Sequence, residues 1–144
     1  VMRAASRDFK RISLELGGKN PIIIFNEADL KKAAKNVFTS FTHNSGQCCV
    51  GASRIFVEDQ VYYQFLKYFK DTLNKSSKYF QMSNFMQYEK VFNFLRNKKI
   101  KKDQIFYGKI PGKKNKSLKI KPIVFHNLGQ IDKIHETELL RREL

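Results

Sequence analysis

Hydrophobic and polar positions along this chain switch between two periods, and each switch marks an element. Residues 1–10 end in polar and charged positions and read as the tail of a helix followed by a turn. Ile12-Ser13-Leu14-Glu15-Leu16 alternates apolar and polar, which predicts a strand. Pro21 opens Ile22-Ile23-Ile24-Phe25, a continuous run suited to a strand covered on both faces, as in a parallel sheet. Leu30, Ala33, Ala34, Val37, Phe38 and Phe41 hold one apolar face for about three helical turns. Asn26 is the predicted cap of that helix, with Glu27 and Asp29 set against the positive end of its dipole. Asn44-Ser45-Gly46 supplies its stop.

The second half repeats the grammar less clearly. Arg54–Val57 reads as a strand, and Asp59 starts a helix with Val61, Tyr62, Phe65, Phe69 and Leu73 on its apolar face. A third helix carries Tyr88, Val91, Phe92 and Leu95, and both aromatic stripes read as core. Ile105-Phe106-Tyr107 and Ile120–Phe125 predict further strands around a Gly-, Lys- and Asn-rich turn containing Pro111-Gly112. Pro122 argues for an edge position or a strand start. Strand, helix, loop, strand is the order of an α/β unit whose chemistry sits on loops at strand ends.

The loop in that unit is chemically loaded. Asn44-Ser45-Gly46-Gln47-Cys48-Cys49-Val50-Gly51 holds both cysteines of the 144-residue chain. Adjacent cysteines lack the spacer of about two to four residues that lets two sulfurs face one metal ion. As a disulfide the pair would close no useful loop. Two readings remain open: small buried hydrophobes, or a reachable thiolate presented by a rigid scaffold. Upstream, Glu15 lies between Leu14 and Leu16, just before Gly17-Gly18, where the backbone can turn sharply. Apolar flanks favour desolvation of such a carboxylate, which brings it towards general-base duty; the alternative is a solvent-facing residue on a strand edge. His43, His126 and His135 share no spacing with acids that suggests zinc, and no metal site is expected. His43 lies beside the loop, where an imidazole can tune a thiol or be incidental.

Leu14-Glu15-Leu16-Gly17-Gly18-Lys19-Asn20-Pro21, followed by Gly46-Gln47-Cys48-Cys49-Val50-Gly51-Ala52-Ser53-Arg54 with Cys49 34 positions after Glu15, resembles the two signature segments of the aldehyde dehydrogenase superfamily. The resemblance is sharp through about Asp59 and implies an incomplete three-layer α/β/α catalytic domain built on a parallel sheet. It implies residues 1–16 as the tail of a cofactor-binding domain and 17–144 as a partial catalytic domain. Cys49 takes the place of the nucleophile, Glu15 that of the general base, and Cys48 a position without chemical role. The implied reaction is thiolate attack on an aldehyde, hydride transfer to NAD or NADP, and hydrolysis of the thioester to the carboxylic acid. In the family the oxyanion is held by the nucleophile's own N–H and by an asparagine further upstream, which this chain lacks. Leu16, Gly17 and Glu138 take cofactor-side positions. Thr137-Glu138-Leu139-Leu140 fits the start of the family's later segment, but Arg141-Arg142-Glu143-Leu144 replaces its Gly-Pro continuation. Lys121–Phe125 resembles another family segment, whereas Lys75–Ser83 is shorter than the pattern and lacks its Gly-Asp-Pro-like turn and Gly-Pro pair.

Bulk properties narrow the picture. The length is one domain's worth, shorter than the family's complete enzymes, and the chain opens on Val1, so a central piece is expected. Such a piece is expected to be inactive alone, as a silent remnant, as a partner of a complementing enzyme fragment, or as part of a homo-oligomer. Residues 98–121 carry ten lysines against one aspartate, whereas residues 1–60 hold nine basic residues against six acids. The net charge of +15 is therefore uneven, with +9 from residues 98–121, most simply a solvated face, and without a recognisable nucleic-acid module it does not indicate a specific nucleic-acid partner. No apolar run approaches the ~20 residues of a membrane span, and Arg3, Arg7 and Lys10 interrupt any signal-peptide pattern. Two cysteines without a staple framework fit a reducing compartment, and a cytoplasmic location is expected.

Overall fold

The computed structural model describes residues 1–76, 79–97 and 100–128. A short helix α1, Met2–Ala5, and a following helical turn end at Phe9, which is left-handed with φ 50° and almost fully exposed. Residues 10–20 are irregular. The strand expected over Ile12–Leu16 does not form. Its alternation lacks a partner among the described residues, and an isolated extended segment has no ladder to complete.

Regular structure starts at β1, Pro21–Ile24, which pairs in parallel with β2, Arg54–Val57, in the register Ile22–Ile55 and Ile24–Val57. Helix α2, Leu30–Thr42, crosses between them, and α3, Tyr62–Asn74, packs beside it. The first turn of the helix expected from Asp59 is a tighter turn, Asp59–Val61, before α3 proper. Ile24, Leu30, Ala34, Val37, Phe65, Phe69 and Leu73 are buried together, with Ile22, Ile55 and Val57 packed against them. This is the face that the periodicity predicted.

The cap of α2 is Asp29, whose carboxylate accepts from the Lys32 N–H at 3.0 Å, and not Asn26. Residues 26–28 form a turn before the helix. Asn26 instead ties β1 to the end of β2: its N–H donates to Glu58 Oε2 at 2.7 Å, and its side chain donates to Gln60. Both helices cover the same side of the sheet. On the other side Ile23 and Phe25 are about 60% exposed and Phe56 is 49% exposed. The expectation of a strand covered on both faces is not met among the described residues: side chains alternate across a strand, and the described helices cover one face.

A second cluster gathers Met82, Tyr88, Phe92, Leu95 and Ile120 beneath α4, Phe85–Asn97, whose predicted stripe is buried. Strand β3, Phe80–Gln81, pairs antiparallel with β5, Lys119–Ile120, and β4, Ile105–Tyr107, pairs antiparallel with β6, Val124–Phe125. The single strand expected over Ile120–Phe125 is thus split around Pro122, which has no N–H to continue a ladder. Strand β3 falls in a stretch whose sequence read as loop. The buried Tyr88 hydroxyl accepts from the Asn115 N–H at 2.9 Å and anchors the lysine-rich loop to α4. Phe41 touches both Phe69 and Phe80, with centroids 6.1 Å away in each case, and links the two clusters. Burial pushes the Tyr62 phenol above its ordinary range, and neighbouring Tyr63 adds to the effect.

Phe69 is 1% exposed and stacks on Phe65 and Phe106, whereas Tyr63 is 82% exposed. Phe69→Ala is expected to cost about 3–5 kcal/mol of stability, and Tyr63→Ala less than about 0.5 kcal/mol. Urea unfolding followed by circular dichroism measures both; equal effects would contradict this assignment of the core.

Candidate functional site

The thiol loop is shaped from both ends. Helix α2 stops at Thr42, and Asn44, Ser45 and Gly46 follow with φ of 47°, 57° and 74°. Three consecutive left-handed residues reverse the chain, and two of them are not glycine, so the turn is held by its own bonds. The Asn44 carbonyl accepts from the Gln47 N–H at 3.1 Å, and Asn44 Nδ2 donates to the Gln47 carbonyl at 3.1 Å. Gln47 then reaches across to β3: its Nε2 donates to the Gln81 carbonyl at 3.0 Å, and its Oε1 accepts from the Ser83 N–H at 3.0 Å. Ser45 Oγ accepts from the Gln81 N–H at 3.2 Å. These contacts fasten the entry to the loop.

The cysteines sit in a turn closed by the Gly51 N–H donating to the Cys48 carbonyl at 3.0 Å. The exit is fixed by Ser40 on α2, whose Oγ accepts from the Ala52 N–H at 3.0 Å. Both cysteines are free, and both residues are half-buried. An open depression of about 160 Å³ beside the loop is lined by Thr39, Ser40, His43, Cys48, Val50 and Gly51. Cys48, and not Cys49, lines it. His43 is exposed on its rim, and His126 Nδ1 is buried without a hydrogen-bond partner among the described residues. No group of acids, histidines and cysteines among the described residues could hold a metal ion.

The upstream segment is laid against this turn through Gly18, Lys19 and Asn20. Asn20 Nδ2 donates to the Cys49 carbonyl at 2.5 Å and to the Gly51 carbonyl at 3.1 Å. The Asn20 carbonyl accepts from the N–H groups of Ser53 and Arg54 at 3.1 and 3.3 Å. The Arg54 guanidinium donates twice to the Lys19 carbonyl, at 3.0 and 2.6 Å. At Gly18 an added Cβ would lie 2.7 Å from Asn20 Oδ1 and 3.1 Å from the Cys49 carbonyl. Glycine is needed there for close approach of two chain segments.

Glu15 lies three residues before Gly18 and is exposed, as are Leu14, Leu16 and Gly17. The apolar flanks do not bury the carboxylate, because residues 10–17 are exposed and have no covering layer among the described residues. Among the described residues no hydrogen bond or ion pair holds Glu15. The joint therefore runs between the two stretches at Asn20 and Cys49, with the carboxylate outside it. Glu138 and His135 lie outside the described residues. Sequence reasoning missed Asn20, whose signal was a lone amide between Gly17-Gly18 and the strand-opening Pro21. It missed Ser40 as well, a hydroxyl on the loop-facing side of α2.

A family model described as the aldehyde dehydrogenase family matches residues 1–140. Aldehyde dehydrogenase 1 of Tanacetum cinerariifolium is 35% identical over 138 residues, covering 89% of this chain and 27% of that protein. Human retinaldehyde dehydrogenase 3 is 34% identical over 149 residues, covering 96% of this chain and 29% of that protein. The crystal structure of an NAD-dependent aldehyde dehydrogenase from Sinorhizobium meliloti superposes with a TM-score of 0.83 at 27% identity, covering 96% of this chain and 29% of that one. The chain thus spans less than a third of the length of these relatives.

Gly18→Ala is expected to lower stability by about 1–3 kcal/mol, because the new methyl meets a carbonyl and the Asn20 amide. Thermal unfolding tests this, and an unchanged midpoint would show that the two stretches are not in contact.

Proposed function

Because this chain belongs to the aldehyde dehydrogenase family, we propose that it carries the thiol chemistry of aldehyde oxidation, with Cys49 as nucleophile and Glu15 as general base. The observation that supports this best is the bond from Asn20 to the Cys49 carbonyl, which sets the Glu15 stretch and the thiol turn side by side. As a thiolate, Cys49 adds to the carbonyl carbon of an aldehyde, forming an S–C bond while the π electrons move to oxygen. The Cys49 N–H is the donor that this chain itself offers to the resulting oxyanion. Glu15 takes the proton of the water that later cleaves the acyl–sulfur bond, releasing a carboxylic acid and the thiol.

When bound, NAD or NADP would supply the hydride acceptor that oxidation of the aldehyde requires. The described residues do not make a site for it: Leu16 and Gly17 are exposed on an irregular segment. Residues 1–16 are read as belonging with the cofactor domain and 17–144 as part of the catalytic domain, working in a reducing cytoplasm. No helix of the described residues is long and apolar enough to cross a membrane. The chain alone is therefore expected to show no aldehyde-dependent reduction of NAD or NADP, monitored by nicotinamide absorbance; measurable turnover would contradict the reading. Cys49→Ala is expected to remove most labelling by a thiol reagent that the unmodified chain shows, and equal labelling of Cys48 and Cys49 would refute the assignment of the nucleophile.

A second reading is favoured by the uncovered side of the sheet, where Ile23, Phe25 and Phe56 face solvent. Apolar faces of this kind drive association, here with a complementing piece of the same family's enzymes or with a second copy. Sedimentation is expected to show a species heavier than the 16.9 kDa monomer, or a heavier complex once a cofactor-domain polypeptide of the family is added. A monomer under both conditions would rule the reading out.

A further inference from the structure

Resting on the reading of Cys49 as nucleophile, we propose that Asn20 is its positioning residue: one carboxamide holds the peptide unit after Cys49 and so aims the sulfur. The Cα of Cys49 lies between two rigid peptide planes. The plane before it contains the Cys48 carbonyl, which is held by the Gly51 N–H at 3.0 Å. The plane after it contains the Cys49 carbonyl, which is held by Asn20 Nδ2 at 2.5 Å. With both planes held, φ and ψ of Cys49 are fixed, and χ1 is the freedom left to the thiol.

The chemistry of the carboxamide fits this task. Both of its acceptors, the Cys49 and Gly51 carbonyls, are oxygen atoms, so only the amino end of the side chain can face them. Its two hydrogens serve two points of one turn. The carbonyl end faces the space over Gly18, where a Cβ would lie 2.7 Å from Oδ1. Asn20 is itself anchored at the start of β2, since its backbone carbonyl accepts from Ser53 and Arg54. An alanine at this position donates nothing, and an aspartate directs acceptor oxygens at two carbonyls.

The test is alkylation of the full chain with iodoacetamide, from below to above the ordinary thiol pKa of about 8.5, with each cysteine's rate read by mass spectrometry. The unmodified chain is expected to label Cys49 faster than Cys48. Asn20→Ala is expected to reduce that preference, by as much as about 100-fold for a displacement of about 1 Å, and Asn20→Asp by at least as much. A role confined to stability moves both rates together and leaves their ratio unchanged. Equal labelling in the unmodified chain overturns the nucleophile reading and this proposal with it. A preference that survives in both folded variants overturns the role of Asn20 alone. If the variants lose their circular dichroism signal, the unmodified chain decides by exchange of side-chain amide protons. Slower exchange at Asn20 than at the exposed Asn74 supports the proposal, and equal exchange overturns it.

Discussion

A side-chain amide at Asn20, bonded to two carbonyls of the Cys48–Gly51 turn, is the contact that joins the upstream stretch to the thiol turn. Without it the thiol turn would be an ordinary loop after a helix. The same residue's backbone carbonyl takes the N–H groups that open β2, so the turn is tied to the β1–β2 pairing as well. Arg54, on that strand, adds two bonds to the Lys19 carbonyl. Several modest hydrogen bonds of about 1 kcal/mol each thus act on one short stretch, and together they leave the turn little room to move. Fixed backbone around a nucleophile is what converts binding into oriented attack.

Packing beneath the site explains why the joint can be held so firmly. Phe65, Phe69 and Leu73 from α3 bury Ala34 and Val37 of α2 against Ile24, which fixes the helix from whose end the loop departs. Phe41 carries that rigidity to Phe80, and Gln47 fastens the loop to the strand at Phe80–Gln81. The other side of the sheet is different. Ile23, Phe25 and Phe56 have no layer over them among the described residues, and Phe9, Leu14 and Leu16 are exposed along the upstream segment. Matching relatives are more than three times as long by the share of them covered.

Much of this was legible in the residues. The apolar faces of α2, α3 and α4 follow helical spacing because each helix buries one stripe, and those stripes are the observed core. The stop at Asn44–Gly46 was readable because glycine and short polar residues such as asparagine adopt left-handed backbone more readily than other residues. Tertiary choices were less visible. Asn26 and Asp29 are both good caps; Asp29 directly precedes the helix and serves, while Asn26 lies in the preceding turn, bonded to Glu58 and Gln60. Alternation over Ile12–Leu16 was a true strand pattern, yet a strand needs a neighbour. The sulfur chemistry was suggested by residue types, whereas the bond from Asn20 to the Cys49 carbonyl joins residues 29 apart and leaves no local periodicity.

The central claim is physical contact between the upstream stretch and the thiol turn in the folded chain. Nuclear Overhauser spectra of the isotope-labelled protein test it directly. Cross-peaks between the α protons of Gly18 and the protons of Cys49 and Val50 are predicted, alongside those of the Ile22–Ile55 pairing in the sheet. Sheet cross-peaks without any from Gly18 to the turn would contradict the account, because the fold would then exist without the joint.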